Sequence, residues 1–310
     1  MRLSRTTSLS LACAGTAAVL FATAAAPSAR AESALPIGGL GDAAIGYTFH
    51  PDSSPGMNDW TCTPSAAHPN PVVLLPGTFA NIGANFVALA PMLKNAGYCV
   101  YGTNFGMTWL SMDGRVGGLD TETTSGNQVS AFINKVLSST GAQKVDIVGH
   151  SQGGSMGINY LKLHDGGNKV GTYVGWGQSS NGTTLSGIVT GGQALGVLGI
   201  FNVGFAALGA PGLRDQQVGS AYNKQTAAIP LPQGPKYVTI QTTRDEVVTP
   251  YATQSLPGAQ NIVLQNLCPS DQVGHVGLFL DSPTLQLTMN ALGGGPADFK
   301  PSCTDYGPAV

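Results

Sequence analysis

Three residue types set at long intervals carry the chemistry that this sequence can do. Ser151 stands in Gly149-His150-Ser151-Gln152-Gly153, a Gly-x-Ser-x-Gly pattern that places a hydroxyl between two residues with no side chain. A serine hydroxyl attacks an acyl carbon only when a base takes its proton and an acid orients that base. The pattern alone is weak in a chain with 43 glycines, and Gly153-Gly154-Ser155-Met156-Gly157 repeats it four residues later. Context separates the two copies. Ser151 comes just after the expected strand Val145-Asp146-Ile147-Val148, so it sits where a strand turns sharply into a helix and lifts the hydroxyl above a sheet. Ser155 would already lie one turn inside that helix and reads as structural.

In folds that use such an elbow, the partners follow in the order serine, acid, histidine. Two histidines follow Ser151. His164 ends the helix that leaves the elbow and is too near in sequence to fold back, which leaves His275, in Val273-Gly274-His275-Val276-Gly277. His50, His68 and His150 precede the serine, and His150 within the elbow reads as packing. Acids between Ser151 and His275 are Asp165, Asp215, Asp245, Glu246 and Asp271. Asp245 follows the strand-like Tyr237 to Gln241 after a short turn, at the strand end where catalytic loops gather, so it is the expected acid. Its neighbour Glu246 would point elsewhere, and Asp271 is a more distant alternative. The developing oxyanion needs two donors. One is the backbone N–H of Gln152. The second is expected from the loop Pro76-Gly77-Thr78-Phe79-Ala80-Asn81, where Thr78 can offer its N–H and its hydroxyl.

The elements that must hold these residues alternate strand and helix. Val72 to Leu75 is a short continuous apolar run of the kind buried on both faces of a parallel sheet, and Tyr98 to Tyr101, Val145 to Val148 and Val170 to Trp176 read as further strands. Tyr237 to Gln241 and Asn261 to Leu264 supply two more strands. Phe86, Leu89, Met92 and Leu93 fall at helical spacing, as do Val129, Phe132, Ile133, Val136 and Leu137, and a last helix is expected around Leu285 to Leu292. This βαβ succession implies a mainly parallel sheet flanked by helices in one domain over 32–310, and together with the serine elbow and the order of its partners it reads as an α/β-hydrolase fold. The stretch before Pro71 shows little periodicity. Between Gly171 and Leu213 no residue is charged, and 186–213 reads as an apolar cap or lid inserted between strands, because repeated glycines disfavour a membrane span.

Residues 1–31 read as an export signal. Arg2 and Arg5 are followed by the apolar Leu9 to Ala24 and by Ala29-Arg30-Ala31, a small-x-small cleavage site. Losing Arg2, Arg5 and Arg30 takes the formal charge from −2 to −5, with no basic run to attract nucleic acid. Cys13 lies in the signal. Cys62, Cys99, Cys268 and Cys303 make an even set that suits two disulfides in an oxidising compartment, with three pairings open. No Cys-x-x-Cys spacing or histidine cluster suggests a metal.

Leu75-Pro76-Gly77-Thr78, Ser151-Gln152-Gly153-Gly154, Thr243-Arg244-Asp245-Glu246-Val247-Val248 and His275 resemble, in order and spacing, the secreted lipases of the Candida antarctica lipase B type and their actinobacterial relatives. The likeness runs from about Cys62 to Cys303. It implies Ser151, Asp245 and His275 as catalytic triad, Thr78 and Gln152 as oxyanion hole, and the pairs Cys62–Cys99 and Cys268–Cys303. It departs from the fungal enzyme at Gly149, in a shorter C-terminal tail and in the cap, so substrate preference does not carry over. The expectation is a secreted, extracellular, monomeric serine carboxylic ester hydrolase without cofactor or stable membrane anchor, acting on lipid or other apolar esters, in some cases at a lipid–water interface. An acyltransferase or polyester depolymerase would use the same machinery, and a non-catalytic hydrolase-like binding module is the remaining alternative.

Overall fold

The computed structural model describes residues 33–186 and 198–310, so the expected signal 1–31 and residues 187–197 of the expected cap lie outside the described residues. Ala34–Val310 forms one compact unit. Its centre is a six-stranded, wholly parallel sheet of β1 (Val72–Leu75), β2 (Val100–Gly102), β3 (Val145–His150), β4 (Val170–Trp176), β5 (Lys236–Gln241) and β6 (Gln260–Val263), in spatial order β2-β1-β3-β4-β5-β6. β1 and β3 are buried throughout; β1 is wholly apolar, as burial on both faces favours, whereas β3 also carries Asp146 and His150, whose side chains are hydrogen-bonded.

Because successive side chains alternate between faces, each run divides into two cores. Val72, Leu74, Val148, Val174, Val238 and Ile240 face one layer, with Leu89 and Leu93 of α3 (Leu89–Asn95) and Leu285 of α10 (Ser282–Leu292). Val73, Leu75, Val145, Ile147, Val170 and Tyr173 face the other, with Val129, Ile133 and Val136 of α4 (Glu122–Thr140) and Ile158 and Leu161 of α5 (Gln152–Leu163). Thr121 caps α4 by accepting from the Thr124 N–H, and Gly141 ends it in the left-handed region.

Strand boundaries shift by one or two residues from the sequence expectation. The second strand begins at Val100 rather than Tyr98, and the last strand ends at Val263, where Leu264–Leu267 turns into the short helix α9. The helix expected from Phe86 begins at Leu89, preceded by the four-residue α2 (Ile82–Asn85). The aperiodic N-terminal stretch contains a helix that the sequence reading did not anticipate, α1 (Leu40–Phe49). Leu40, Ala43, Ala44 and Tyr47 carry helical spacing, diluted by glycines and exposed apolar residues. In the expected cap, α6 (Leu198–Ala207) is followed by the short helices α7 (Gly212–Asp215) and α8 (Ala221–Ala227). Among the described residues no helix is long and apolar enough to cross a membrane.

The chain runs from β1 out to β2 and then returns to β3 on the other side of β1. The carboxyl ends of β1 and β3 therefore flank the point where strand order reverses, the crevice in which open parallel sheets bind ligands.

Candidate active site

Ser151 follows β3 with φ +54° and ψ −122°, a conformation that costs a residue with a Cβ on the order of 1–3 kcal/mol and so clusters at functional sites. The turn stands because its surroundings over-determine it. The Ser151 N–H donates to the Trp176 carbonyl at 2.8 Å, and the Gly154 N–H donates to the Ser151 carbonyl at 3.0 Å. A Cβ on Gly149 would meet the Gly153 backbone, and a Cβ on Gly153 would meet the Leu75 carbonyl of β1. The motif's two glycines are thus close-approach positions that let helix α5 start directly over the sheet. Ser155 lies inside α5, its hydroxyl paired with that of Ser179 at 2.9 Å, as expected for a structural serine.

Asp245 lies in the loop after β5, and each of its carboxylate oxygens accepts two hydrogen bonds. Oδ1 accepts from the Val247 and Val248 N–H groups at 2.9 and 2.7 Å. Oδ2 accepts from Gln254 Nε2 at 2.8 Å and from His275 Nδ1 at 2.7 Å. Four fixed donors leave the carboxylate one orientation. With Nδ1–H pointed at Asp245, the imidazole keeps its Nε2 lone pair for a proton. The His275 and Asp245 side chains are 4 % and 0 % exposed, so this pair is screened from solvent. Ser151 and His275 line the same cavity, and no hydrogen bond joins their side chains in this structure. Such bonds are often long without substrate and tighten around it. Glu246 does not touch the imidazole; its carboxylate accepts the His275 backbone N–H at 3.3 Å. Asp271 is spent on the Val273 N–H at 2.8 Å, two residues before the histidine. His164 ends α5 beside Tyr160, and His50 lines a separate hollow of about 430 Å³.

The loop after β1 brings Thr78 beside Gln152. Thr78 Oγ1 lies 3.0 Å from Gln152 Oε1 and 3.1 Å from Gln216 Oε1 and donates to one of them. Among the described residues neither the Thr78 nor the Gln152 backbone N–H has an acceptor, so both are available to an incoming anion. Gln152 is completely buried, and its amide Nε2 donates to the Gly118 carbonyl at 3.2 Å and to Glu122 Oε1 at 2.8 Å. Glu122 opens α4, with its own N–H held by Asp215 Oδ2 at 3.2 Å. Burial pushes its carboxyl up to about 8 against the opposing bond from Gln152, and the charge of Asp215 adds to the rise. At neutral pH this acid is mostly neutral.

Thr78, Ser151, Gln216 and His275 line a cavity of about 620 Å³. Its walls are apolar: Leu40 and Tyr47 from α1, Phe79 from the loop after β1, Phe205 and Leu213 from the cap region, and Val247, Val276 and Phe279 from the loops that carry Asp245 and His275. Phe205 and Leu213 thus contribute to the cavity wall, while Val203 and Leu208 face solvent at 71 % and 60 % exposure. Cys62 is bonded to Cys99 and Cys268 to Cys303, the same pairs that the family resemblance implies. The second bond ties the tail to the start of the histidine loop. Sequence reading missed Asn85, Glu122, Gln216 and Gln254. Asn85, Glu122 and Gln216 act by hydrogen bonds to partners 30 to 138 residues away, Gln254 reaches Asp245 nine residues back, and no local pattern marks them.

Residues 69–287 match the family model described as Lipase (class 2). The crystal structure of lipase B from Aspergillus fumigatus superposes with a TM-score of 0.55 at 19 % identity, covering 81 % of this chain and 62 % of that one. The mature form of the Bacillus licheniformis lipase BlEst2 gives 0.48 at 18 % identity, over 64 % of this chain and 85 % of that one. The chain therefore spans less than two thirds of the Aspergillus protein's length, and at these identities the likeness is one of fold, the α/β-hydrolase fold.

Proposed function

The chain belongs to the class 2 lipase family, and on that footing we propose that it is a secreted carboxylic ester hydrolase that cleaves apolar esters through an acyl-enzyme on Ser151. The observation that carries the reading is the buried Asp245–His275 pair of 2.7 Å, whose histidine lines one apolar cavity with a serine held in a strained elbow.

The ester's acyl chain lies along the apolar wall, with its carbonyl at the polar end. Ser151 Oγ attacks the carbonyl carbon as its proton passes to His275 Nε2. Asp245 keeps the imidazole in the tautomer that can accept that proton and stabilises the imidazolium that results. The carbonyl oxygen, now negative, takes the N–H groups of Gln152 and Thr78, and the Thr78 hydroxyl can turn toward it from its glutamine partner. His275 then protonates the leaving alcohol, and water repeats the sequence on the acyl-enzyme to release the acid. The neutral carboxyl of Glu122 holds Gln152 without placing a second negative charge near the oxyanion.

Two disulfides suit an oxidising compartment and support export. The test is hydrolysis of a chain-length series of p-nitrophenyl esters and glycerides by the mature protein, soluble and emulsified, alongside Ser151→Ala. Loss of hydrolysis in the variant, with a serine-directed phosphonate labelling only the parent protein, is expected. A Ser151→Ala variant that works at the parent rate would sink the proposal.

A further inference from the structure

His150, the residue before the proposed nucleophile, has more to do than fill space. It is 5 % exposed, and both of its ring nitrogens are bonded. Its Nε2 lies 3.1 Å from the backbone carbonyl of His275, an acceptor only, so Nε2 carries the proton. Its Nδ1 is then a lone pair, facing the side-chain amide of Asn85 at 3.0 Å. Asn85 has its own orientation set from outside, because its Oδ1 accepts the Gly77 N–H at 3.0 Å and leaves Nδ2 to serve His150. Asn85 is 3 % exposed. The chain Gly77 N–H to Asn85, Asn85 to His150 and His150 to the His275 carbonyl has one consistent set of donors and acceptors. It begins in the loop that carries Thr78 and ends on the backbone of the general base.

The anchor between the two loops is rigid. His150 ends β3, is paired in register with Trp176 of β4, and is joined by the backbone to Ser151. Its ring lies 5.1 Å from that of His275, tilted by 33°. A charge there would oppose the imidazolium that His275 must become, beside which the carboxylates of Asp245 and Glu246 are the other charged groups. Burial and the neighbouring His275 push His150 down to about 3, so it stays neutral where His275 works.

We propose that His150 is a positioning residue which, through Asn85 and the His275 carbonyl, holds the loop after β1 and the histidine loop in register around Ser151. The inference rests on the proposed roles of Ser151 and His275. A role in packing alone would tolerate any apolar ring of similar volume, whereas positioning needs the donor at Nε2 and the acceptor at Nδ1.

The test is steady-state kinetics on p-nitrophenyl butyrate for the parent, His150→Phe, His150→Gln, Asn85→Leu and the Asn85→Leu/His150→Phe pair, each checked for folding by near-UV circular dichroism. His150→Phe should lower kcat by about ten- to a hundredfold with KM within about threefold, because misplacement of reacting groups by even 1 Å costs rate on this scale. His150→Gln, which can still donate to the His275 carbonyl, should recover most of the loss. Asn85→Leu should lower kcat as well, and the pair should be little worse than His150→Phe alone, as expected of residues acting in one chain. Should His150→Phe fail to fold, Asn85→Leu and His150→Gln decide the matter between them: parent kcat in the first overturns the proposal. So do parent kcat in His150→Phe, equal losses in Phe and Gln, or strictly multiplicative losses in the pair. A parent protein without esterase activity, or one indifferent to Ser151→Ala, refutes the function instead. Activity that needs Ser151 but ignores His150 refutes this inference alone.

Discussion

Glu122→Gln tests the electrostatics beneath the oxyanion loop through stability rather than rate. The acid is 1 % exposed, its Oε2 has no partner among the described residues, and burial raises its pKa from an ordinary 4.5 to about 8. In the unfolded chain it ionises near 4.5, so between that pH and about 8 the unfolded state binds fewer protons than the folded one. Stability must then fall as pH rises through this window, by roughly 1.4 kcal/mol per pH unit from this group. At pH 7 the loss is roughly 3 kcal/mol, and above pH 8 it levels off at about 5 kcal/mol. A glutamine keeps the oxygen that accepts from Gln152 Nε2 and has no charge to bury. The variant should therefore match the parent near pH 4.5 and exceed its Tm increasingly toward pH 8, by on the order of 5–10 °C. The assay is thermal unfolding by far-UV circular dichroism at half-unit steps from pH 4.5 to 9. Asp146, which burial also pushes up to about 6, titrates in both proteins and cancels in the difference. A difference curve that is flat to within about 1 °C across the window would refute a neutral Glu122 and, with it, the absence of a second charge beneath Gln152.

Asp245→Asn should leave the fold intact and lower kcat by about 10⁴-fold, because an amide can present N–H to His275 Nδ1 and hold the wrong tautomer, measurable on p-nitrophenyl butyrate. Replacing Cys268 and Cys303 by serine opens a loop with a sequence separation of 35 and should cost about 4 kcal/mol on chain-entropy grounds, read from urea unfolding. Activity in that variant should fall before global unfolding, since the tail it frees accepts the Gly274 and Gly277 N–H groups on either side of His275. Below pH 6.5 His150 should contribute a loss of stability as pH falls, opposing the gain from Glu122, because it is buried neutral with its pKa pushed down to about 3 and the unfolded histidine takes up the proton first. His150→Gln should remove that part of the acid limb.

Much of this protein is legible along the chain because the signals are local. Val145, Ile147 and Val148 read as a strand because burial on both faces favours a mostly apolar run, and the strand observed there leads straight into Ser151. The small residues at 149 and 153 follow from the same local demand, a backbone turning within contact of its own helix and of β1. The order of Ser151, Asp245 and His275, each in a segment that follows a strand, required only the βαβ succession. The missed helix α1 shows the limit of periodicity, for much of its apolar surface is exposed and gives a faint pattern: Leu40 and Phe49 are 65 % and 70 % exposed. What only the tertiary structure decided are the partners. Whether Glu246 would meet the imidazole or the backbone of His275, whether His150 would pack or bridge, and that Glu122 would lie buried under Gln152 depend on groups 29 to 125 residues apart. Local sequence sets which residue faces the sheet and which turn is affordable to the backbone. Hydrogen-bond direction and the burial of a charge are set by atoms that meet only after the sheet has closed, and those decide how the site's residues are held.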